Sequence, residues 1–298
     1  MNLPLKSFFT KLYEKAFEDD IFSRAAQVAF YFSFAIFPLL LFFVSLVGIF
    51  LGAAENFKLE LFFYIKQIMP ASAYSLVRDT IEETTQNSSG GKLTIGILIA
   101  LWAASAGIDS LRLALNSVYG FKESRPWWQT KLISLSFTFI LTLLITFALA
   151  IVFYGWKAVS VLLSALGLPI PGPVYLVLLQ WAITLVVLLV IFELLYNVLP
   201  SRKPFKWFWI TPGASVGIVL WLLLSNSLKT YLAYFNTYDR TYGSIGAVII
   251  LMLWLYLTSL VILIGGVINA VMEDMRFDKP TGKGISLSFP QSDEEEEE

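Results

Sequence analysis

Ser105, Asp109, Arg112 and Asn116 recur at i, i+4, i+7 and i+11, which places them on one stripe of a helix. The stretch that holds them, Leu93 to Tyr119, is apolar and long enough to cross a bilayer. A charged group at membrane depth costs roughly 2.5–3.5 kcal/mol on insertion scales, so this stripe must face other helices or a wet cavity. Arginine in such a place offers a planar fork that pairs bidentately with phosphate or carboxylate. Two acids are within its reach by spacing. Asp109 lies at i, i+3 on the same helix. Glu193 lies in a later apolar run, seven residues before Pro200, as Arg112 lies seven before Tyr119; at 1.5 Å rise per residue both sit about 10 Å from the same edge. Asn116 and Asn197 repeat the match four residues further on, and Asn269, Arg24 and Gln27 fall at similar depth.

Two readings of this set stay open. In one, Asp109, Arg112 and Glu193 neutralise one another and lock the packing of helices. In the other, Arg112, Asp109, Glu193, Asn116, Asn197, Asn269, Arg24 and Gln27 line a vestibule open to the cytoplasm, where Arg112 contacts the headgroup of an anionic lipid or amphiphile. Catalysis is the weakest use of these residues. The chain has no histidine and no cysteine, so the commonest general base, thiol nucleophiles and thiolate metal sites are missing. Asp109 and Glu193 could form an acid–base pair, but no GxSxG, HExxH, Walker loop or CxxC accompanies them. The expectation is a non-enzyme with no catalytic residues, no bound metal and no cofactor.

Composition names the solvent. Of 298 residues 57% are hydrophobic and 14% charged, against about 45–50% and 25% in soluble domains; mean hydropathy is +0.72. Net charge is −1, and +4 once Glu294 to Glu298 are set aside. That is too mild for a nucleic-acid partner, which calls for a basic face.

The elements that must position the stripe follow in order. Residues 1–26 form a polar amphipathic segment, with Phe8, Phe9, Leu12, Ala16 and Phe17 at helical spacing, that lies along the membrane surface. Residues 27–272 form an all-α polytopic domain of six transmembrane helices: Val28–Gly52, Leu93–Tyr119, Leu132–Tyr154, Pro173–Leu199, Phe208–Tyr231 and Ser244–Val271. Pro38 should kink the first, and Pro212-Gly213 and Gly265-Gly266 should bend the last two. Between the first and second spans, residues 54–92 form an extracytoplasmic cap of two short amphipathic helices, Glu55–Met69 and Ser72–Gln86, followed by an Asn87–Gly91 turn. Residues 273–298 form a disordered acidic tail. The loops holding Lys122, Arg125 and Lys131, and Arg202, Lys203 and Lys206, are short and basic, so both termini are expected inside by the positive-inside bias. Trp127, Trp128, Trp207 and Trp209 sit at these same edges.

Several ordered blocks resemble one family. Ala25-Ala26 through Ala29-Phe-Tyr31 with Phe37-Pro-Leu-Leu40 is similar to the first-span signature of the YihY/BrkB bacterial inner-membrane proteins. Trp102-Ala-Ala-Ser105 with Leu115-Asn-Ser-Val-Tyr119 resembles its second-span motif, and Tyr196-Asn-Val-Leu-Pro200 with Pro212-Gly-Ala214 its fourth-to-fifth-span junction. Tyr242-Gly-Ser-Ile-Gly-Ala247, Leu253-Trp-Leu-Tyr256 and Leu263-Ile-Gly-Gly-Val-Ile-Asn-Ala270 resemble its closing span. The resemblance implies six spans, the bacterial cytoplasmic membrane and no established biochemical activity, with lipid or amphiphile export suggested for the family. It also brings an older ribonuclease BN label, which a chain without histidine, cysteine or a basic RNA face does not fit.

Overall fold

The computed structural model describes residues 5–51, 62–63, 90–165, 167, 172–202, 207–234 and 244–276. Their regular structure is helical throughout: α1 (Leu5–Glu18), α2 (Ile21–Leu51), α3 (Gly90–Val118), α4 (Trp127–Ala165), α5 (Pro173–Val198), α6 (Pro212–Tyr234) and α7 (Ser244–Arg276). The expected helices of the 54–92 cap lie outside the described residues, apart from Phe62 and Phe63, as does the acidic tail beyond Arg276.

Among the described residues, four stretches are long and apolar enough to cross a membrane: Leu98–Val118, Trp127–Ala148, Val177–Val198 and Val248–Met275, with a shorter apolar stretch at Ile21–Ile36. They coincide with four of the six expected spans. The expected first span lies within α2 up to Leu51, and α2 runs unbroken through Pro38; Gly52 lies outside the described residues. The expected fifth lies in α6, where Ser225, Asn226, Ser227 and Lys229 thin the apolar run. Pro212 does not bend that helix but begins it, in the position where its missing N–H and fixed φ cost nothing. The chain also enters α2 earlier than expected, at Ile21. Glu18 ends α1, Asp20 turns the backbone at φ 48°, and Ser23 Oγ donates to Asp20 Oδ1 at 3.0 Å to hold the elbow. Aspartate tolerates that left-handed conformation better than most side chains.

Two helices are central. α3 packs against α2, α4 and α7, while α7 packs against α1, α2, α3 and α6. The buried share of the apolar window is 56% in α3 and 17% in α5, so α3 is enclosed and α5 peripheral. The main core gathers at one end of the bundle, where Ile21, Val28, Leu111, Leu115, Val118, Tyr196, Leu199, Leu263, Val267 and Val271 are fully buried. Elsewhere large side chains face outward, including Val174, Tyr175, Leu178 and Trp181 on α5 and Phe30 and Phe34 on α2. Such a belt is what hydrocarbon covers and water does not. Within hydrocarbon, close packing of small residues replaces water exclusion as the force between helices. α6 and α7 use it fully: a Cβ on Gly213 would lie 2.0 Å from the Gly265 carbonyl oxygen.

Candidate functional site

The polar side chains concentrate at the same end as the core, beneath the 119–126 connection and residues 199–202 and 207–211. They form two groups that touch through the backbone.

The first group is built on the α3 stripe. Arg112 is 6% exposed and donates through Nη1 to Glu123 Oε2; its Nη2 lies 3.6 Å from Asp109 Oδ1. Asn116 Nδ2 donates to the same Glu123 oxygen at 3.1 Å. Arg125 surrounds the rest of that carboxylate, with Nη2 donating to Oε2 at 3.0 Å and Nε to Oε1 at 2.8 Å, and its own backbone N–H donating to Oε1 at 3.1 Å. Burial alone would raise the Glu123 pKa, but the Arg125 hydrogen bonds and the Arg125 and Arg112 charges outweigh it and hold the carboxyl at about 2. One turn up α3, Asp109 accepts from Lys131 Nζ at 2.9 Å and from Ser134 Oγ at 2.5 Å. Lys131 also donates to Ser105 Oγ at 2.7 Å and lies 4.5 Å above the Trp102 ring.

The second group joins α5, α6 and α7. Glu193 is 4% exposed. Its Oε1 accepts from Thr211 N at 2.6 Å and Thr211 Oγ1 at 3.1 Å, and its Oε2 from Asn197 Nδ2 at 3.1 Å. A carboxylate at the start of α6 meets the positive end of that helix. Asn197 also accepts from Phe208 N at 2.8 Å and donates to Phe208 O at 3.1 Å. Asn269 Oδ1 accepts from Gly213 N at 2.7 Å. Two backbone links join the groups: Ser201 N donates to Asn116 Oδ1 at 2.7 Å, and Arg125 Nη2 donates to the Leu199 carbonyl at 2.9 Å.

The structure therefore keeps Asp109, Arg112 and Asn116 together and sets Glu193, Asn197 and Asn269 apart from them. The depth-matched pairing of Arg112 with Glu193 does not occur; Arg112 takes Glu123, and Glu193 takes the neutral donors of Thr211 and Asn197. Asn116 and Asn197 do not face one another but each fasten a different connecting loop. Arg24 and Gln27 also stand apart. Arg24 Nε donates to the Asp19 carbonyl at 2.7 Å in the α1–α2 elbow, and Gln27 is exposed. Glu123, Arg125, Lys131, Ser134 and Thr211 are the members that helical spacing missed. Among the described residues, no group of three or more His, Cys, Asp or Glu side chains comes together in a form that could hold a metal ion.

A family model described as Virulence factor BrkB matches residues 12–285. The chain belongs to the BrkB family. Among its BrkB relatives, the chain is 32% identical to the ribonuclease-like protein YfkH of Bacillus subtilis (strain 168), over 90% of this chain and 95% of that one. It is 29% identical to a UPF0761 membrane protein of Idiomarina loihiensis, over 77% of this chain and 76% of that one. A UPF0761 membrane protein of Xanthomonas campestris pv. campestris (strain 8004) is 25% identical over 91% of this chain, which spans 62% of that longer protein. No solved structure matches. With its apolar helices, this BrkB-family chain is a membrane protein.

Proposed function

We propose that this BrkB-family protein is a six-span protein of the bacterial cytoplasmic membrane, with both termini inside, that moves an anionic lipid or amphiphile in the manner of a flippase. It works without chemistry on its substrate. The observation that supports this reading is the charge of the α3 group: Arg112, Arg125 and Lys131 face only Asp109 and Glu123 as described ion-pair partners. A fixed cationic excess beside exposed Trp127 and Trp128 suits an anionic headgroup at interface depth. Arg112 is the headgroup contact, and Asn116 and Asp109 orient it. Glu193, Asn197 and Asn269 hold the neighbouring α5–α6–α7 junction.

A second reading has its own support. Each acid in the α3 group has a basic partner, and Arg125 also grips the Leu199 carbonyl, as expected of a clamp that only fastens helix ends.

Reconstitution separates them. In vesicles containing fluorescent phosphatidylglycerol, Arg112→Gln should abolish protein-dependent lipid movement while leaving the purified protein folded and monodisperse. The clamp reading predicts no protein-dependent movement even in the unaltered protein, together with a lower unfolding midpoint for Arg112→Gln.

A further inference from the structure

The linker between α3 and α4 sends one carboxylate back into the bundle, and the donors that meet it outnumber what it can use. Arg112 Nη1, Asn116 Nδ2 and Arg125 Nη2 all point at Oε2, while Arg125 Nε and the Arg125 backbone N–H point at Oε1. A carboxylate offers about four lone-pair sites on two oxygens. On the same guanidinium Arg112 Nε is buried and, among the described residues, has no hydrogen-bond partner. The cradle thus has more donors than its occupant can satisfy, and its buried part belongs to the enclosed α3.

The occupant and the cradle are held differently. Arg112 and Asn116 stand on α3, Asn116 is braced by Ser201 N, and Arg125 is braced by the Leu199 carbonyl. Each donor side chain has an anchor that does not depend on Glu123. Glu123 sits in the short connection after Tyr119 and keeps 23% of its side chain exposed, and among the described residues its side-chain bonds all go to the cradle. Exchanging its two oxygens for the three or four of a phosphoryl group would give the five crowded donors more acceptors, and two arginines present the forks that suit it.

We propose that Arg112, Asn116 and Arg125 form a binding site for a phosphate-bearing anion, and that Glu123 is its tethered plug, displaced when a phosphate monoester or diester enters. The inference rests on the anionic-headgroup reading above and names the chemistry recognised there. It makes the site self-inhibited: the resting protein holds its own anion, and the linker is released when a competing one binds.

The test uses the full chain in detergent, with dihexanoyl phosphatidic acid and inorganic phosphate as separate probes in titration calorimetry. Glu123→Gln should bind dihexanoyl phosphatidic acid at least about tenfold more tightly than the unaltered protein, as expected when a charge-assisted competitor is removed. Adding Arg112→Gln to that variant should erase the gain. Equal gains for both probes identify the phosphoryl group as the whole ligand, and a gain confined to the lipid assigns the site to a headgroup with its chains. No gain for either probe, in a variant that unfolds at the unaltered midpoint, overturns the proposal.

A second measurement does not depend on the fold tolerating a change at Glu123. In otherwise unaltered, cysteine-free protein, Lys122→Cys should react faster with maleimide once dihexanoyl phosphatidic acid is added, because the linker is freed. An unchanged rate at saturating probe also overturns it. Binding without lipid movement in vesicles removes the flippase reading and leaves this site standing. Lipid movement without either binding signature removes this site alone.

Discussion

Arg202 and Glu273 meet through both ends of their side chains, with Nη1 donating to Oε1 at 2.7 Å and Nη2 to Oε2 at 2.8 Å. The same guanidinium lies 5.7, 5.5 and 5.1 Å from the ring centres of Tyr119, Phe121 and Phe208. One side chain from the α5–α6 connection therefore fastens the end of α7 and the α3–α4 connection together. Lysine would keep the charge but lose the fork and the flat face. Arg202→Lys should destabilise by about 1.5–3 kcal/mol, the scale of hydrogen bonds to a charged group. Thermal unfolding of the detergent-solubilised protein checks this; an unchanged midpoint would mean that the stacked rings alone hold the junction.

The crossing of α6 and α7 has no room for a methyl group. A Cβ on Gly213 would meet the Gly265 carbonyl at 2.0 Å and Asn269 Oδ1 at 2.6 Å, and one on Gly265 would meet the Tyr196 hydroxyl at 2.2 Å. These are backbone and hydrogen-bonded atoms, since Tyr196 Oη donates to the Ile262 carbonyl at 2.8 Å and Gly213 N to Asn269. Gly213→Ala and Gly265→Ala should each cost about 1–3 kcal/mol or more, the range for overpacking. Gly172→Ala is the control, because nothing lies within 4 Å of a Cβ placed there. Comparable stability in all three would show that the helices separate freely at this point.

These two junctions also mark where sequence reasoning reached and where it stopped. The α3 stripe was legible because a helix repeats every 3.6 residues, and Asp109, Arg112 and Asn116 do work together. Equal depth for Arg112 and Glu193 could be counted along each helix axis. Their directions around those axes could not, and Glu193 turns instead to Thr211. Glu123 and Arg125 lie in a linker, where no periodicity tells which way a side chain points. Counted only as loop residues, Arg125 and Lys131 served as topology markers, although both reach inward to carboxylates. The Gly213–Gly265 approach was visible only as expected bends at Pro212-Gly213 and Gly265-Gly266, because spacing within a helix does not say which neighbour it meets.

Acid should act on the α1–α2 elbow before it acts on the Glu123 cradle. Glu123, held at about 2, is depressed in the folded protein. Its contribution is therefore complete above the ordinary carboxylate range and is lost only as pH falls through about 2. Asp19 is opposite in sign. Burial raises its pKa, and the Lys15 ammonium 3.3 Å away offsets this only in part. The folded state then binds the proton more tightly than the unfolded state, so ionised Asp19 costs stability above its raised value. Asp19→Asn should raise the unfolding midpoint slightly at pH 7–8, and the gain should fade as pH falls toward the ordinary carboxylate range. A midpoint that drops on substitution at pH 7 would assign the stronger role to the Lys15 pair.

The length of α4 turns the proposed topology into a direct measurement. Its 39 residues extend about 58 Å at 1.5 Å per residue, more than the roughly 40–45 Å of a bilayer with its headgroups. On the proposed topology the residues before and after it lie on opposite faces. Because the chain has no cysteine, single substitutions report on each face without background. With both termini inside, Lys122→Cys should resist a membrane-impermeant maleimide in intact spheroplasts and react after permeabilisation. Gly172→Cys, beyond the far end of α4 and exposed, should react in the intact cells. The reverse pattern would invert the protein and put the Arg112 cradle on the outer face, whereas equal labelling of both positions would mean that α4 does not span the membrane.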